Sequence, residues 1–467
     1  MTTFAKPMTT HTAEVAHLLR RAGFGARRDE LERYAEAPYE EVVEDLLNPE
    51  RFPEVEEDVL FRYFPHFASP DDMGANRWIY RMVNTQRPLQ EKIALFWHHV
   101  FATAWYKSEH TQTIAAQIDT FRHEGLGNLR QILLDLSRDP AMIYWLDNRE
   151  NHKGRINENY GRELLELFSM GIGNYTEFDI KEAARAFTGW TFTQPIPLYP
   201  YGHHAAEFVY RPEDHDDGEK TFLGHTGRFN GEDIIDIIVQ QPATARFICR
   251  HLYNFFVADE PQVPSWSIEP PQDPAAVEAM VDAYFESDGE IRAVLRTVFN
   301  SDFFKNARFQ RVKCPAEFVV STIKLSGEFR YPDVGLQELA GAATAMGQQL
   351  MNPPTVEGWH TGREWIDGGT LNERVNFAVA HVQDPSGPGV QKIVDRALGG
   401  GVQTADDLVD KCLDLAGPLE ASALTRNSLL EAVSEQGWSS NGRREELSRV
   451  VSHLLRLIVA SPEFQFA

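Results

Sequence analysis

The stretch "NENYGRELLELFSMGIGNYTEFDIKEAARAFTGW", Asn157 to Trp190, reads as a helix, a glycine-rich turn and a second helix, and it sets the fold class. In its first half Tyr160, Leu164, Leu167 and Phe168 recur at helical spacing and form an apolar stripe. In its second half Asp179 stands near a helix start and Gly189 at a helix end. The first helix, taken over 158–170, carries more acid than an amphipathic helix needs. Asn159, Glu163 and Glu166 sit at i, i+4 and i+7 and share the face opposite the apolar stripe. Those groups are either a solvated surface or ligands turned inward.

The same 3.6-residue period runs outward in both directions. "TAEVAHLLRRAGFGARRDELERYA" gives a helix stopped near Gly23 and a second one starting at Arg28–Asp29. "PLQEKIALFWHHVFATAWYK" opens on Pro88 with Glu91 close behind, as helix starts do. Further helices are expected at 232–256, 274–287, 288–300, 313–327, 334–348, 370–382, 404–415, 426–436 and 442–460. The exception is 190–230, where short aromatic and β-branched runs cut by Pro and Gly predict a small hairpin or ordered loop. The expected fold is therefore mainly α, a large multihelical body with a small β-containing excursion near 190–230. Residues 1–383 form the body, 384–403 a Gly/Pro linker ("DPSGPG" and "LGGG"), and 404–467 a C-terminal helical segment packing on it. "LRTVFNSDFF" (295–304), "LRLIVASPEF" (455–464) and, less closely, "LLDLSRDPAM" (133–142) repeat faintly. Either Ser and Asp simply cap the next turn there, or helical hairpins are duplicated.

Composition removes some functions. The 467 residues, 42% hydrophobic and 24% charged, are those of a globular protein. A net charge of −24 argues against nucleic acid, whose phosphates call for clustered Lys and Arg. Cys249, Cys314 and Cys412 are odd in number and far apart, neither a disulfide framework nor a Cys-rich metal site. No apolar run of about 18 residues predicts a membrane span, and no signal peptide is evident, so a cytoplasmic location is the default expectation. The nucleophile elbow, the phosphate-binding loop, the dinucleotide fingerprint and the His-Glu-x-x-His zinc helix are all missing.

Seven segments, "HLLRRAGFGA", "FWHHVFAT", "DPAMIYWLDN", the opening stretch, "HDDGEKTFLG", "MGQQLMNPPTVEGW" and "ASPEFQ", follow one another over almost the whole chain. In that order they resemble the bacterial family catalogued as domain of unknown function 1800. The resemblance implies no agreed activity. It does imply a sulfatase- or phosphatase-like partner protein, whose genes often neighbour the family, and export with that partner as an alternative location. Family members commonly read Trp-His-Asn-His-Phe where this chain has Trp97-His98-His99-Val100-Phe101, and many have His in place of Phe168. A family site built on those two histidines would be reduced or altered here.

The chemistry-bearing residues admit two readings each. Asn159, Glu163 and Glu166 offer the oxygens a hard divalent cation takes, and His98 could add a nitrogen, in the manner of metal sites inside helical bundles. The plainer alternative makes Glu158 and Glu163 partners of Arg155, Arg162 and the helix N-terminus. In "EDHDDGEKTFLG" (213–224), His215 and Asp216 could form a base and its orienter with Lys220 holding an anion, or the run is an exposed acidic turn. Arg162 joins His215 and Asp216 as a candidate catalytic group, and the His203–His204 pair is a weaker candidate. Trp359, Trp365 and Arg363 in "MGQQLMNPPTVEGWHTGREW" (346–365) either line a pocket or lock a rigid loop onto the body. Two functions follow: a metal-dependent hydrolase or oxidoreductase centred on the 158–170 helix, or a non-catalytic helical scaffold for the partner protein.

Overall fold

A computed structural model of the chain describes residues 10–64, 70–108, 111–193, 206–399, 402–439 and 443–467. Within them stand 24 α-helices and two antiparallel two-stranded sheets, so the protein is mainly α. The sheets lie where the aromatic and β-branched runs are. Trp190–Phe192 pairs with Phe208–Tyr210, and Lys220–Phe222 pairs with His225–Gly227. The His203–His204 pair lies outside the described residues.

The helix Pro88–Val100 is the most enclosed element, buried continuously from Leu89 to His98. A helix apolar on every side would need no comment there, but this one carries Glu91 and Lys92 into the interior. Both are matched. Glu91 accepts from Trp78 Nε1 (3.1 Å) and from Arg122 (2.9 and 3.0 Å). Lys92 donates to Glu317 and to the Gly23 carbonyl, and Arg311 forks onto the same Glu317 at 2.7 and 2.6 Å.

The opening stretch folds as two crossed helices, Asn159–Glu166 and Glu177–Ala186. The first ends at Glu166, four residues short of the expected Met170. There the chain turns back: the Met170 and Gly171 amides both donate to the Leu165 carbonyl, with Gly171 at φ +75°. Gly161 allows the crossing, since a Cβ at that position would lie 3.0 Å from the Ala184 nitrogen and the Ile180 oxygen. Thr176 and Asp179 form a capping box at the start of the second helix.

Three further expectations are modified. The predicted 232–256 helix is two, Gly231–Val239 and Pro242–Phe256, because Pro242 takes the first position of a new helix. The faint repeat is turn chemistry: Asp139 caps Met142 at 2.9 Å and Ser301 caps Phe304 at 3.1 Å, while Ser461 bonds back to Ile458. The 384–403 segment is not a bare linker, because Pro388–Gly399 is a helix with Val390, Ile393, Val394 and Ala397 buried. One apolar cluster runs from Val15 to Phe464, and the C-terminus is tied back by Lys313 N–H to Gln465 O (2.9 Å) and Ala467 N–H to Arg311 O (2.8 Å). Cys249, Cys314 and Cys412 are free and buried; burial pushes the Cys314 and Cys412 thiols up to about 12, the mark of inert thiols. Among the described residues no helix is long and apolar enough to cross a membrane.

Candidate active site: a cleft of imidazoles, carboxylates and aromatic rings

The turn after Glu166 forms one lip of a cleft of about 680 Å3. Helix Asn159–Glu166 contributes Glu166, the end of helix Pro88–Val100 contributes His99 and Val100, and helix Pro242–Phe256 contributes Phe247 and His251. The irregular segment 354–361 closes the other side with Glu357, Gly358 and Trp359. Two glycines make this closeness achievable. A Cβ at Gly171 would meet the Phe247 ring at 2.8 Å, and one at Gly358 would lie 2.4 Å from the His99 carbonyl oxygen. Both have positive φ, which glycine adopts without strain.

The cleft walls are aromatic. His251 stands against Trp266 and Phe247 with ring centroids 4.6 Å from each. His99 stacks near-parallel on Trp359 at 6.3 Å. Burial holds the His99 imidazole down to about 4, with Arg311 and His360 adding to it, and holds His251 well below its ordinary value. Both are therefore neutral rings near neutral pH, able to accept or donate one proton each. His251 Nε2 is buried with no hydrogen-bond partner.

The carboxylates behave in the opposite sense. Glu163 is half-buried one turn before Glu166, whose Oε2 accepts from the Tyr175 hydroxyl at 3.0 Å. Desolvation first, then the neighbouring charge of Glu166 and more weakly that of Glu357, pushes Glu163 up to about 7, against the pull of Arg162. Glu163 thus sits at the point where it can hold or release a proton under physiological conditions.

The structure brings together Glu163 and Glu166 and separates them from the other expected site residues. His98 is fully buried between Trp78 and Trp359, and its Nε2 accepts from the Met351 amide at 3.0 Å, which makes it a core group. Asn159 is exposed, and its backbone N–H donates to Asn157 Oδ1 at 3.0 Å. Arg162 forks onto Glu177 at 2.8 and 2.7 Å on the surface, with Glu158 at 3.6 Å. Among the described residues no group of three His, Cys, Asp or Glu is arranged to hold a metal ion.

His215 and Asp216 do not form a base and orienter. His215 Nδ1 meets the Thr188 carbonyl at 3.0 Å, while Asp216 is clamped by Arg185 at 2.8 and 3.2 Å and driven down to about 2 by it. Lys220 donates to the backbone carbonyls of Asp216 and Gly218 rather than to an anion. This loop fastens the hairpins to helix Glu177–Ala186, where Leu223 N–H also reaches Asp179 at 2.8 Å. In the 346–365 segment Trp359 lines the cleft, Trp365 is buried and Arg363 is exposed.

Sequence reasoning missed His99, His251, Trp266 and Glu357. His99 was passed over for its neighbour because His98 is the histidine the resemblance retains. His251 sits in an apolar helix like any core histidine, and only the fold brings it to the cleft. The two departures lie close by: Val100 lines the cleft, and Phe168 is fully buried with its ring 5.6 Å from that of Phe101.

No curated protein and no solved structure matches the chain. A family model does, from residue 17 to residue 466, which is nearly its whole length. The chain belongs to the family described as "Protein of unknown function (DUF1800)".

Proposed function

We propose that this cleft is the active site of an enzyme whose reaction turns on proton transfer, hydrolysis being the class these groups serve most directly. The observation that supports it is the convergence of the imidazoles of His99 and His251 with the carboxylates of Glu166 and Glu357 in one aromatic-walled cleft, with Glu163 behind Glu166 on the same helix and raised by its charge. Glu163 holds the proton, Glu166 keeps it there by its charge, and His99 and His251 accept or return a proton on the facing wall. Trp266 and Trp359 offer flat apolar faces to a ring-bearing or otherwise apolar substrate.

The test is a panel of p-nitrophenyl esters, phosphates and glycosides offered to the wild type and to Glu166→Gln. Turnover in one class, reduced by about 100-fold or more in the variant, is the expected result when the charge that holds the proton on Glu163 is removed and acid–base catalysis fails. Turnover unaffected by the substitution, or none in any class, overturns the proposal and favours a non-catalytic scaffold for a sulfatase- or phosphatase-like partner.

A further inference from the structure

In a chain with 69 acidic and 45 basic residues, one cavity reverses the balance. It measures about 270 Å3 and lies where the helices Thr10–Arg21, Pro315–Ser326 and Pro388–Gly399 meet the turn at Leu415–Leu419. Seven basic side chains line it against two acidic ones. Three of the seven are neutralised on the spot: Arg28 by Glu32 (2.9 Å) and Asp414 (2.7 Å), Arg396 by Glu32 (2.7 Å), and Lys392 by Asp29 (3.5 Å).

The other four are matched less fully. Arg27 and Lys324 share a single carboxylate, Glu30, at 3.3 and 3.5 Å. Among the described residues the hydrogen-bond partner of Arg20 is the Gly417 carbonyl (3.1 Å), with its guanidinium over the Phe309 ring, and that of Lys313 is the Phe464 carbonyl (2.9 Å), with its amine over the Phe464 ring. Arg20 Nε and Arg27 Nε and Nη2 are buried with no hydrogen-bond partner. Unmatched guanidinium donors away from water cost free energy, and a charged acceptor is what offsets it. The crowding also shows in Lys313, whose amine is brought down to about 7 by burial first and by Arg20 and Arg374 next. Phe24, Leu31, Ile393 and Leu419 supply an apolar floor beside these charges.

We propose that this cavity is a binding site for a small phosphorylated metabolite, its phosphoryl group held by Arg20, Arg27 and Lys313 and its short organic part laid on the apolar floor. Guanidinium forks match phosphoryl oxygens two at a time, and a volume of about 270 Å3 admits a phosphate monoester but not a nucleotide chain. The site is separate from the imidazole cleft, shares no lining residue with it, and stands whether or not that cleft is catalytic.

The test is calorimetric titration of the full-length protein, at low salt, with phenyl phosphate, inorganic phosphate and citrate. The expected result is saturable binding of phenyl phosphate, tighter than inorganic phosphate, weakened at least tenfold in Arg27→Gln. Equal affinity for both phosphates would mean a free-phosphate site and overturn the metabolite reading. Tighter citrate binding would overturn the phosphoryl assignment, and no saturable binding would overturn the site. Should Arg27→Gln fail to fold, Ser321→Glu keeps the proposal falsifiable, because Ser321 lines the cavity and would place a carboxylate inside it. That variant should melt higher than the wild type and lose phenyl phosphate binding; a lower melting temperature with binding retained counts against the proposal.

Discussion

Glu163 is the residue on which the functional reading turns, and its environment makes a signed prediction about stability. Its folded-state proton affinity is raised to about 7, so the folded state binds the proton more tightly than the unfolded chain does. The stability it supports is complete below the unfolded value near 4.5 and is lost as pH rises through about 7. Glu163→Gln should therefore melt higher than the wild type at pH 8, by the equivalent of about 1–2 kcal/mol once solvent screening is allowed for. At pH 4 the two should coincide; thermal melts at both pH values check it. The buried pair Lys92–Glu317 predicts the contrary sign. Glu317 is held well below its usual range by Arg311 and Lys92 despite complete burial. Glu317→Gln leaves two interior cations without their partner and should cost about 3–5 kcal/mol, read as a fall in the denaturant midpoint.

At the scale of elements, the helices follow from period and punctuation. Pro88, Pro274 and Pro315 each open a helix, Thr404 caps one, and the boundaries of 274–286 and 405–415 fall within a residue or two of expectation. Where reading failed, the cause was tertiary. Nothing local says that Asn159–Glu166 must stop at Glu166; the Phe247 ring lying against Gly171 accompanies that reversal. Likewise "DPSGPG" looked like a linker because Gly389 is common in linkers, whereas here it lets a helix start lie against helix Pro315–Ser326, with a would-be Cβ only 2.2 Å from Leu325 O. Gly161 is the sharpest test at this scale. Alanine normally stabilises a helix interior, but here its methyl meets the backbone of the crossing helix. Gly161→Ala should destabilise by about 1–3 kcal/mol, measured by chemical denaturation, and an increase in stability would contradict the packing described.

The whole molecule is organised around one apolar cluster that includes Val15, Trp97, Leu252, Ile323, Ile393 and Leu455. The C-terminal helices are part of that core rather than an appendage, since Lys313 N–H and the Arg311 carbonyl hold the last residues. Thermal unfolding followed by circular dichroism and by tryptophan fluorescence should give coincident transitions; two separated ones would contradict a shared core. The sequence carried the fold class and the glutamates of the site helix, because both depend on spacing along one element. It did not carry the cleft, whose groups come from residues 99, 166, 251 and 357, and which only the packing of four segments assembles. Metal ligation by His98 and Asn159 failed for the same reason: a helical wheel gives a face, not what that face meets.

Acid–base chemistry at the cleft requires that Glu163 hold a proton near neutral pH. Carbon-13 NMR of protein labelled at glutamate side-chain carboxyls, titrated from pH 4 to pH 9, measures it directly. A carboxyl resonance titrating with a midpoint near 7, and missing from Glu163→Gln, is the predicted result. A Glu163 carboxyl that titrates with its midpoint near the ordinary 4.5 would contradict the acid–base reading of the cleft.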